Sequence, residues 1–354
     1  ELAQTLKLIQ KQGQKAFYEG KNAQFLVAEM KRGNGIISLE DLKNYKTKER
    51  KALQFDYKNH EIVSMPLPSS GGILLAQMLK MSSFENLEKY PQNSPKAVQV
   101  MVEAERRAFA DRAEFMGDPD FIEDKTQMLI SEEYLKNHWK NFSFEKATPS
   151  AEVGKIIAQP KESTETTHIS IIDKFGNAVA VTTTLNGLYG SKVVVKGGGY
   201  FLNNEMDDFS VKPGVPNMFG AVGGEANIIE PNKRMRSSMT PTIVLKNGKP
   251  YIVVGTPGGT TIPTSVYQSI VNVIDFKMTP SSAVNSAKFH HQWLPEVVFV
   301  EKKFPENTLK ILEQKNYKFE KRSGIGRTEM IVIYENGNAT AVADSRGDDS
   351  VAVE

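Results

Sequence analysis

Residues 166–184 read TTHISIIDKFGNAVAVTTT, and the pattern of this stretch decides how the fold is interpreted. Side chains that favour strands occupy residues 169–172 and 178–184, and the glycine and asparagine of a tight turn lie between them in residues 173–177. The stretch therefore predicts an antiparallel β-hairpin. The hairpin opens at a threonine, which directly follows the polar stretch 159–165.

Two further hairpins are predicted downstream of this stretch. Residues 242–254 and 330–342 each contain two runs of strand-forming side chains separated by an Asn-Gly pair. Asparagine and glycine adopt the positive φ angles that a two-residue hairpin turn requires. The second half of the chain is therefore expected to form antiparallel sheets.

Helical patterns fill most of the remaining chain. Residues 1 to about 150 are predicted to be mostly helical, with Ser38 as the N-cap of a helix whose first turn carries Glu40 and Asp41. Further helices are predicted at residues 73–81, 98–112, 265–275 and 280–288, the first of them after a turn at 66–72. Helices combined with antiparallel hairpins indicate an α+β fold in which helices cover sheets.

The composition excludes several classes of protein. The 354 residues include 44 Lys and Arg against 42 Asp and Glu, so the chain offers no basic surface for a nucleic acid. Because there is no cysteine, disulfides, thiol nucleophiles and Cys-ligated metals are excluded. No apolar run is long enough to span a membrane, and the first residues lack the pattern of a signal peptide. Since the chain begins with Glu1 rather than Met, we expect a processed piece of a longer precursor.

The common catalytic motifs are absent from the sequence, among them the G-x-S-x-G, H-E-x-x-H and P-loop patterns. His290 and His291 are predicted to be structural, because neighbouring side chains project in different directions. A threonine hydroxyl becomes a good nucleophile when its own α-amine is free to act as the base. For Thr166 this requires cleavage of the Glu165–Thr166 bond; taken alone, the threonines are better explained as residues that open a strand.

Several motifs, in the same order, resemble the small subunit of γ-glutamyltranspeptidases. They are residues 166–170 (TTHIS), 176–182 (GNAVAVT), 202–210 (LNNEMDDFS), 213–217 (PGVPN), 236–242 (RSSMTPT) and 255–259 (GTPGG). Upstream, residues 65–72 (MPLPSSGG) and 117–121 (GDPDF) resemble the C-terminal part of the family's large subunit. The resemblance runs the length of the chain.

The resemblance implies an N-terminal-nucleophile hydrolase with a four-layer αββα sandwich. Residues 1–165 would be the C-terminal part of the large subunit, and residues 166–354 the small catalytic subunit, released by autocatalytic cleavage of the zymogen and still associated with the first piece. The implied reaction transfers the γ-glutamyl group of glutathione or a similar donor to water, an amino acid or a peptide. The resemblance also implies no metal or organic cofactor, and a periplasmic or secreted location.

The same resemblance assigns roles to individual residues. Thr166 would be the nucleophile, oriented by Thr184, with Thr167 assisting the cleavage. The backbone N–H groups of Gly258 and Gly259 would bind the oxyanion. Glu205 and Asp208 would bind the ammonium group of the substrate. The α-amino-acid end would be bound by Asn186, Ser237 and Ser238. Phe219 would belong to the lid formed by residues 213–224.

The sequence departs from the family pattern at two points. The family binds the substrate carboxylate with an arginine upstream of the region present here, and Arg234 and Arg236 are interpreted as surface charges rather than as replacements. Phe219 stands where the family commonly has a tyrosine, so a hydroxyl bond to Asn186 cannot form and a looser lid is expected.

Two alternatives remain at this stage. One is a glutaryl-type β-lactam acylase, although such an enzyme has no need of the ammonium site that Glu205 and Asp208 would form. The other is a non-catalytic or unprocessed relative that acts as a binding or scaffold protein.

Overall fold

The computed structural model describes residues 1–154, 166–212, 215 and 224–353. The chain divides into two compact units. The first unit consists of Glu1–Lys51 and Leu185–Glu205, and the second of Ala52–Thr184 and Met206–Glu354. Among the described residues, no helix combines the length and the apolar character needed to cross a membrane.

The first unit contains four helices followed, much later in the chain, by a loop segment. The helices are α1 (Leu2–Gln12), α2 (Lys15–Tyr18), α3 (Gly20–Arg32) and α4 (Leu39–Asn44). Ser38 caps α4 as predicted: its hydroxyl accepts from the N–H of Asp41, and the Asp41 carboxylate accepts from the N–H of Ser38. The loop segment is fixed to α1 by the Thr5 hydroxyl, which donates to the Gly198 carbonyl at 2.8 Å.

The described part of the second unit contains eleven strands in three sheets. In chain order the strands are β1 (Leu53–Tyr57), β2 (His60–Ser64), β3 (Thr167–Ile172), β4 (Ala178–Thr183), β5 (Thr242–Lys246), β6 (Lys249–Gly255), β7 (Phe289–His290), β8 (Val298–Glu301), β9 (Phe319–Arg322), β10 (Glu329–Ile333) and β11 (Ala339–Val342). The main sheet is antiparallel with the order β1-β2-β5-β6-β10-β11, while β3 and β4 form a separate hairpin and β7-β8-β9 a small third sheet. All three predicted hairpins are therefore confirmed.

The helices of the second unit pack with its strands to form the apolar core. They are α5 (Gly71–Ser83), α6 (Pro95–Phe115), α7 (Thr126–Leu129), α8 (Glu132–Trp139), α9 (Thr261–Ile274), α10 (Pro280–Asn285) and α11 (Glu306–Glu313). Helix α5 packs against α6, α9 and β1, and every residue of α9 is buried. The predicted helices are confirmed with shifted ends: 98–112 extends to Pro95–Phe115 because Pro95 starts the helix, and 280–288 ends at Asn285, before β7 begins.

The β3–β4 hairpin forms a second sheet layer over β6 and β10 of the main sheet. The two layers meet closely at Gly255, the last residue of β6. A Cβ atom at this position would fall inside the ring of His168 on β3. The opposite face of the hairpin is exposed and carries four apolar side chains, Ile169, Ile171, Val179 and Val181. Helices, main sheet and hairpin are thus stacked in layers, which confirms the predicted α+β class.

Candidate active site

The two threonines predicted to carry the chemistry lie at the open end of the β3–β4 hairpin. Thr167 pairs with Thr183 in the antiparallel register, which places Thr166 opposite Thr184. The Thr166 hydroxyl donates to the Thr184 hydroxyl at 3.3 Å. The structure therefore brings this pair together as the hairpin pattern predicts. Glu165 and Phe219, the predicted cleavage site and lid residue, lie outside the described residues.

His168 holds strand β3 against the main sheet. Its Nδ1 lies 2.8 Å from the Thr182 hydroxyl and its Nε2 lies 3.1 Å from the Ser170 hydroxyl. Since Ser170 donates to the Glu329 carbonyl, it accepts from Nε2–H, and Nδ1 accepts from Thr182. Burial lowers the pKa of the imidazole to about 4. A neutral ring with both nitrogens engaged is a structural element and not a base for Thr166.

Gly258 and Gly259 form the turn between β6 and α9. Their φ angles are 138° and 57°, which side-chain-bearing residues rarely adopt. The Gly258 carbonyl accepts from the N–H and the hydroxyl of Thr261, so the turn is fixed from the helix side. Within the described residues, no acceptor faces the N–H of either glycine. Two unused amides at the start of a buried helix are suited to stabilising an oxyanion.

A cavity of about 320 Å³ opens beside this turn. Gly258 is the one predicted site residue in its lining, and the two charged side chains in the lining are Arg327 and Arg346. Arg346 is held by Glu301 and Asp344 through charge-assisted hydrogen bonds. The cavity therefore gives solvent access to the glycine turn from the side of β10 and the C-terminal segment.

The loop carrying Ser237 and Ser238 is clamped by the predicted turn at residues 66–72. The N–H and the hydroxyl of Ser70 both donate to the Ser237 carbonyl, at 2.9 and 2.8 Å, and the Ser237 N–H donates back to the Pro68 carbonyl at 3.1 Å. A second contact joins the Ser69 hydroxyl to the Met239 carbonyl at 2.6 Å. Through these bonds, a turn far upstream in the sequence sets the position of both predicted serines.

Two buried arginines, one in this loop and one on α6, contact the serine segment, and the first of them corrects the sequence interpretation. Arg236 is not a surface charge: it is 2 % exposed and donates to the carbonyls of Arg112 and Met116 at the end of α6. Burial and the nearby Arg112 lower the pKa of Arg236, while the Asp208 carboxylate opposes this shift. Arg236 thus joins the 236–240 loop to α6.

Arg112 was missed by the sequence interpretation. Its Nε donates to the Ser70 hydroxyl at 3.1 Å and its Nη2 donates to the Ser238 hydroxyl at 3.0 Å. The one available signal was its spacing four residues after Ala108 and eight after Ala104, on a helix face that the structure buries. A buried cation therefore lies directly behind a predicted substrate-binding serine.

Glu205 begins and Asp208 ends one short 3₁₀ turn. Asp208 is half-buried in the second unit, where its carboxylate interacts with Arg112 and Arg236. Glu205 belongs to the first unit, as does Asn186, whose amide donates to the Asn204 carbonyl at 3.2 Å. Partial burial raises the pKa of the Glu205 carboxyl. The predicted substrate residues are therefore distributed over both units.

The remaining predicted residues have simple surroundings. Thr167 is exposed on β3 and faces away from the Thr166–Thr184 pair by strand alternation. His290 contacts Thr264 and Gln292, whereas His291 contacts the Val297 carbonyl, so the two rings have separate structural partners as predicted. Gln292 also accepts from Thr260 at the start of α9. This network stabilises the helix that follows the glycine turn.

A threonine at the head of a strand that is stacked on a main sheet, together with two glycine amides that have no acceptor among the described residues, is what an N-terminal-nucleophile hydrolase requires. The fold agrees with this class: cephalosporin acylase from Bacillus halodurans matches with a TM-score of 0.82 at 23% identity, over 99% of this chain and 62% of that chain. A mutant of Helicobacter pylori γ-glutamyltranspeptidase matches with a TM-score of 0.50 at 48% identity, over 51% of this chain and 100% of that chain.

Sequence similarity identifies the family within this class. The chain belongs to the gamma-glutamyltranspeptidase family, whose model matches residues 1–354. Glutathione hydrolase proenzyme from Escherichia coli K12 is 45% identical over 350 residues, 99% of this chain and 60% of the relative. The corresponding proenzyme from Bacillus subtilis 168 is 35% identical over 361 residues, 98% of this chain and 60% of the relative. The chain thus spans about 60% of the length of these curated relatives.

Proposed function

We propose that this chain acts in a γ-glutamyl transferase and hydrolase that cleaves the γ-glutamyl amide of glutathione and related donors. The observation that carries the proposal is the hydrogen bond from the Thr166 hydroxyl to Thr184 at the head of β3. Its relatives are named glutathione hydrolase proenzymes, which supports both the donor and a self-cleaved precursor. The acylase and scaffold alternatives have no comparable support.

The first proposed step is self-cleavage. The Thr166 hydroxyl attacks the Glu165 carbonyl, and the peptide bond rearranges to an ester on the threonine oxygen. Water then hydrolyses this ester, which leaves a carboxylate on residue 165 and a free amine on Thr166. Thr184 orients the hydroxyl for the attack, and Thr167 is proposed to assist it. The two pieces, 1–165 and 166–354, stay associated as large-subunit and small-subunit segments.

In the second step, the freed amine removes the proton of the Thr166 hydroxyl as the oxygen attacks the γ-carbonyl of the donor. Negative charge develops on the carbonyl oxygen, where the N–H groups of Gly258 and Gly259 can donate to it. One such donor contributes about 3–4 kcal/mol to the stability of the transition state. Collapse expels the donor's amine, which takes up the proton, and leaves a γ-glutamyl ester on Thr166. Water or an amino acid acceptor then attacks this ester.

The α-amino-acid end of the donor is proposed to select γ-glutamyl over glutaryl groups. The carboxylates of Glu205 and Asp208 would pair with its ammonium group, while Asn186, Ser237 and Ser238 would bind the α-carboxylate side. Phe219 is proposed to cover the site.

We also propose a periplasmic or secreted location on the basis of the resemblance, and cell fractionation with an antibody against the chain tests it.

The proposed function is tested by intact-mass measurement, N-terminal sequencing and turnover of a γ-glutamyl anilide. We expect two pieces, the smaller beginning Thr-Thr-His-Ile, and release of the aniline. Thr166→Ala should remain a single species without turnover. The matched control is Thr183→Ala, an exposed threonine one residue from Thr184, which should behave as the wild type. An uncut wild-type chain without turnover would overturn the proposal.

A further inference from the structure

The hydroxyl groups of Ser237 and Ser238 are both occupied as acceptors. Ser237 accepts from the N–H of Met239 at 3.1 Å, and Ser238 accepts from the Arg112 guanidinium at 3.0 Å. A serine hydroxyl has one proton and two lone pairs. Within the described residues, neither hydroxyl donates its proton to a protein acceptor. Both serines are partly exposed, so two adjacent O–H donors are available to an anionic ligand.

Arg112 determines the position of this pair from behind. Its fork-shaped guanidinium reaches two serines at once, Ser70 through Nε and Ser238 through Nη2. Ser70 in turn donates to the Ser237 carbonyl. One buried side chain on α6 therefore holds both ends of the Ser237–Ser238 segment.

The positive charge of Arg112 strengthens the hydroxyl of Ser238 as a hydrogen-bond donor. The residue is 4 % exposed, and burial lowers the pKa of the guanidinium to about 10, so it remains protonated at neutral pH. A hydrogen bond from a cation withdraws electron density from the accepting hydroxyl and makes its proton a better donor. The Asp208 carboxylate lies close enough to interact with the same cation. The arrangement favours a ligand with a carboxylate at Ser238 and an ammonium group near Asp208.

We propose that Arg112 is a positioning residue for the α-carboxylate of the γ-glutamyl donor, acting through the Ser238 hydroxyl that it orients and polarises. This inference rests on the proposed function, because it names the donor group that the site recognises. It does not require Arg112 to touch the substrate. The expected signature is therefore a change in donor affinity with little change in the chemical step.

The test compares wild type with Arg112→Met in turnover of a γ-glutamyl anilide and in binding of L-glutamate and 4-aminobutyrate. The two binding probes differ only in the α-carboxylate. In the variant, the KM for the anilide and the dissociation constant for L-glutamate should rise about tenfold, while kcat changes less than about threefold. Binding of 4-aminobutyrate should not change. Combining Arg112→Met with Ser238→Ala should add little to Ser238→Ala alone, because both act on one hydroxyl.

Arg107→Met is the matched control. Arg107 is also buried on α6, but it pairs with Glu103 and makes no bond to the serines. It should lower the melting temperature without changing the KM of the folded fraction. If Arg112→Met does not fold, Ser70→Ala keeps the cation and removes one of its two anchors, and the KM should still rise several-fold.

The outcomes separate the two proposals. Turnover by the wild type with an unchanged KM in Arg112→Met, or in Ser70→Ala where Arg112→Met does not fold, overturns the inference and leaves the proposed function intact. Absence of turnover in the wild type overturns the proposed function. In that case, loss of L-glutamate binding alone in the variant still supports the role of Arg112, and equal loss of both ligands contradicts it.

Discussion

The β3–β4 hairpin and the β6–α9 segment each supply one half of the proposed chemistry, but they are held very differently. The hairpin carries Thr166 and Thr184, and its outer face is exposed. The β6–α9 segment carries Gly258 and Gly259, and the helix that follows them is buried at every residue. The proposed oxyanion donors therefore precede a fully buried helix, whereas the strand of the proposed nucleophile packs on the main sheet through one face, where His168 meets Gly255.

The largest effect is expected at the glycine turn. Gly258→Ala places a side chain at φ 138°, where its Cβ would meet the Thr261 hydroxyl. The backbone should therefore shift, and the N–H groups of residues 258 and 259 should no longer point at the oxyanion. We expect kcat to fall about 10²–10³-fold, as on loss of an oxyanion donor. Gly248→Ala, at φ 73° with open space around it, is the control and should leave kcat unchanged. Equal kcat values for both variants would contradict the assigned role.

A stability loss of about 3 kcal/mol is expected for Gly255→Ala, because the new Cβ overlaps the His168 ring and must separate the two layers. His168→Ala in the same chain should recover part of the loss, which denaturant titration of the single and double variants measures. Gly324→Ala, whose Cβ would meet no atom closer than 3.8 Å, should be nearly neutral. Additive losses would show that the layers do not meet at this point.

Acid should weaken the same contact. The folded pKa of His168 is about 4, below the value of about 6.5 expected for the unfolded chain, so the unfolded state binds more protons between these values. The stability that depends on a neutral His168 is present above pH 6.5 and is lost as the pH falls towards 4, by at most about 3 kcal/mol.

Unfolding titrations across this pH range, with wild type and His168→Asn, measure the effect of His168. Other buried histidines add to the slope of the wild type, among them His290 with a pKa of about 3. The difference between the two proteins therefore isolates His168. Parallel pH profiles would mean that His168 is not buried as a neutral ring.

The smallest effect is expected at the tip of the hairpin. Phe175 is 80 % exposed in the turn between β3 and β4, so Phe175→Ser should change the free energy of unfolding by less than about 0.5 kcal/mol. Val253→Ala in β6, with no exposed surface, should cost about 1–3 kcal/mol. Thermal unfolding of the two variants compares the regions directly. A larger loss at Phe175 than at Val253 would contradict the expected difference between the two regions.

Local patterns were sufficient for the three hairpins and the named helices, but not for strands β7–β9 or helix α11, and the resemblance singled out the pair of threonines. The alternation and turn residues of 166–184 define the hairpin, and its register alone brings Thr166 to Thr184. The cap at Ser38 and the start of α10 at a proline could also be predicted, because each depends on neighbouring residues only. The assigned roles of the site residues remain predictions.

Contacts between distant segments could not be predicted in this way. The pairing of β2 with β5 joins residues about 180 apart, and no local pattern determines such a partner. Arg112 and Arg236 carry the same side chain as any surface arginine, and their burial depends on how α6 packs behind the 236–240 loop. His168 likewise acquires its importance from a glycine on another sheet.

The order of strands in the main sheet has a consequence for durability. Strands β1 and β2 of the main sheet precede residue 165, and β5, β6, β10 and β11 follow it. A cut at 165/166 would therefore leave one sheet formed by two polypeptides. Unfolding would then release two molecules whose reunion depends on their concentration, whereas the refolding of an uncut chain would not depend on concentration in this way. For a cut protein at high dilution, loss of the fold would be effectively permanent. Its working lifetime is then governed by the height of the barrier to strand separation at the β2–β5 seam rather than by an equilibrium.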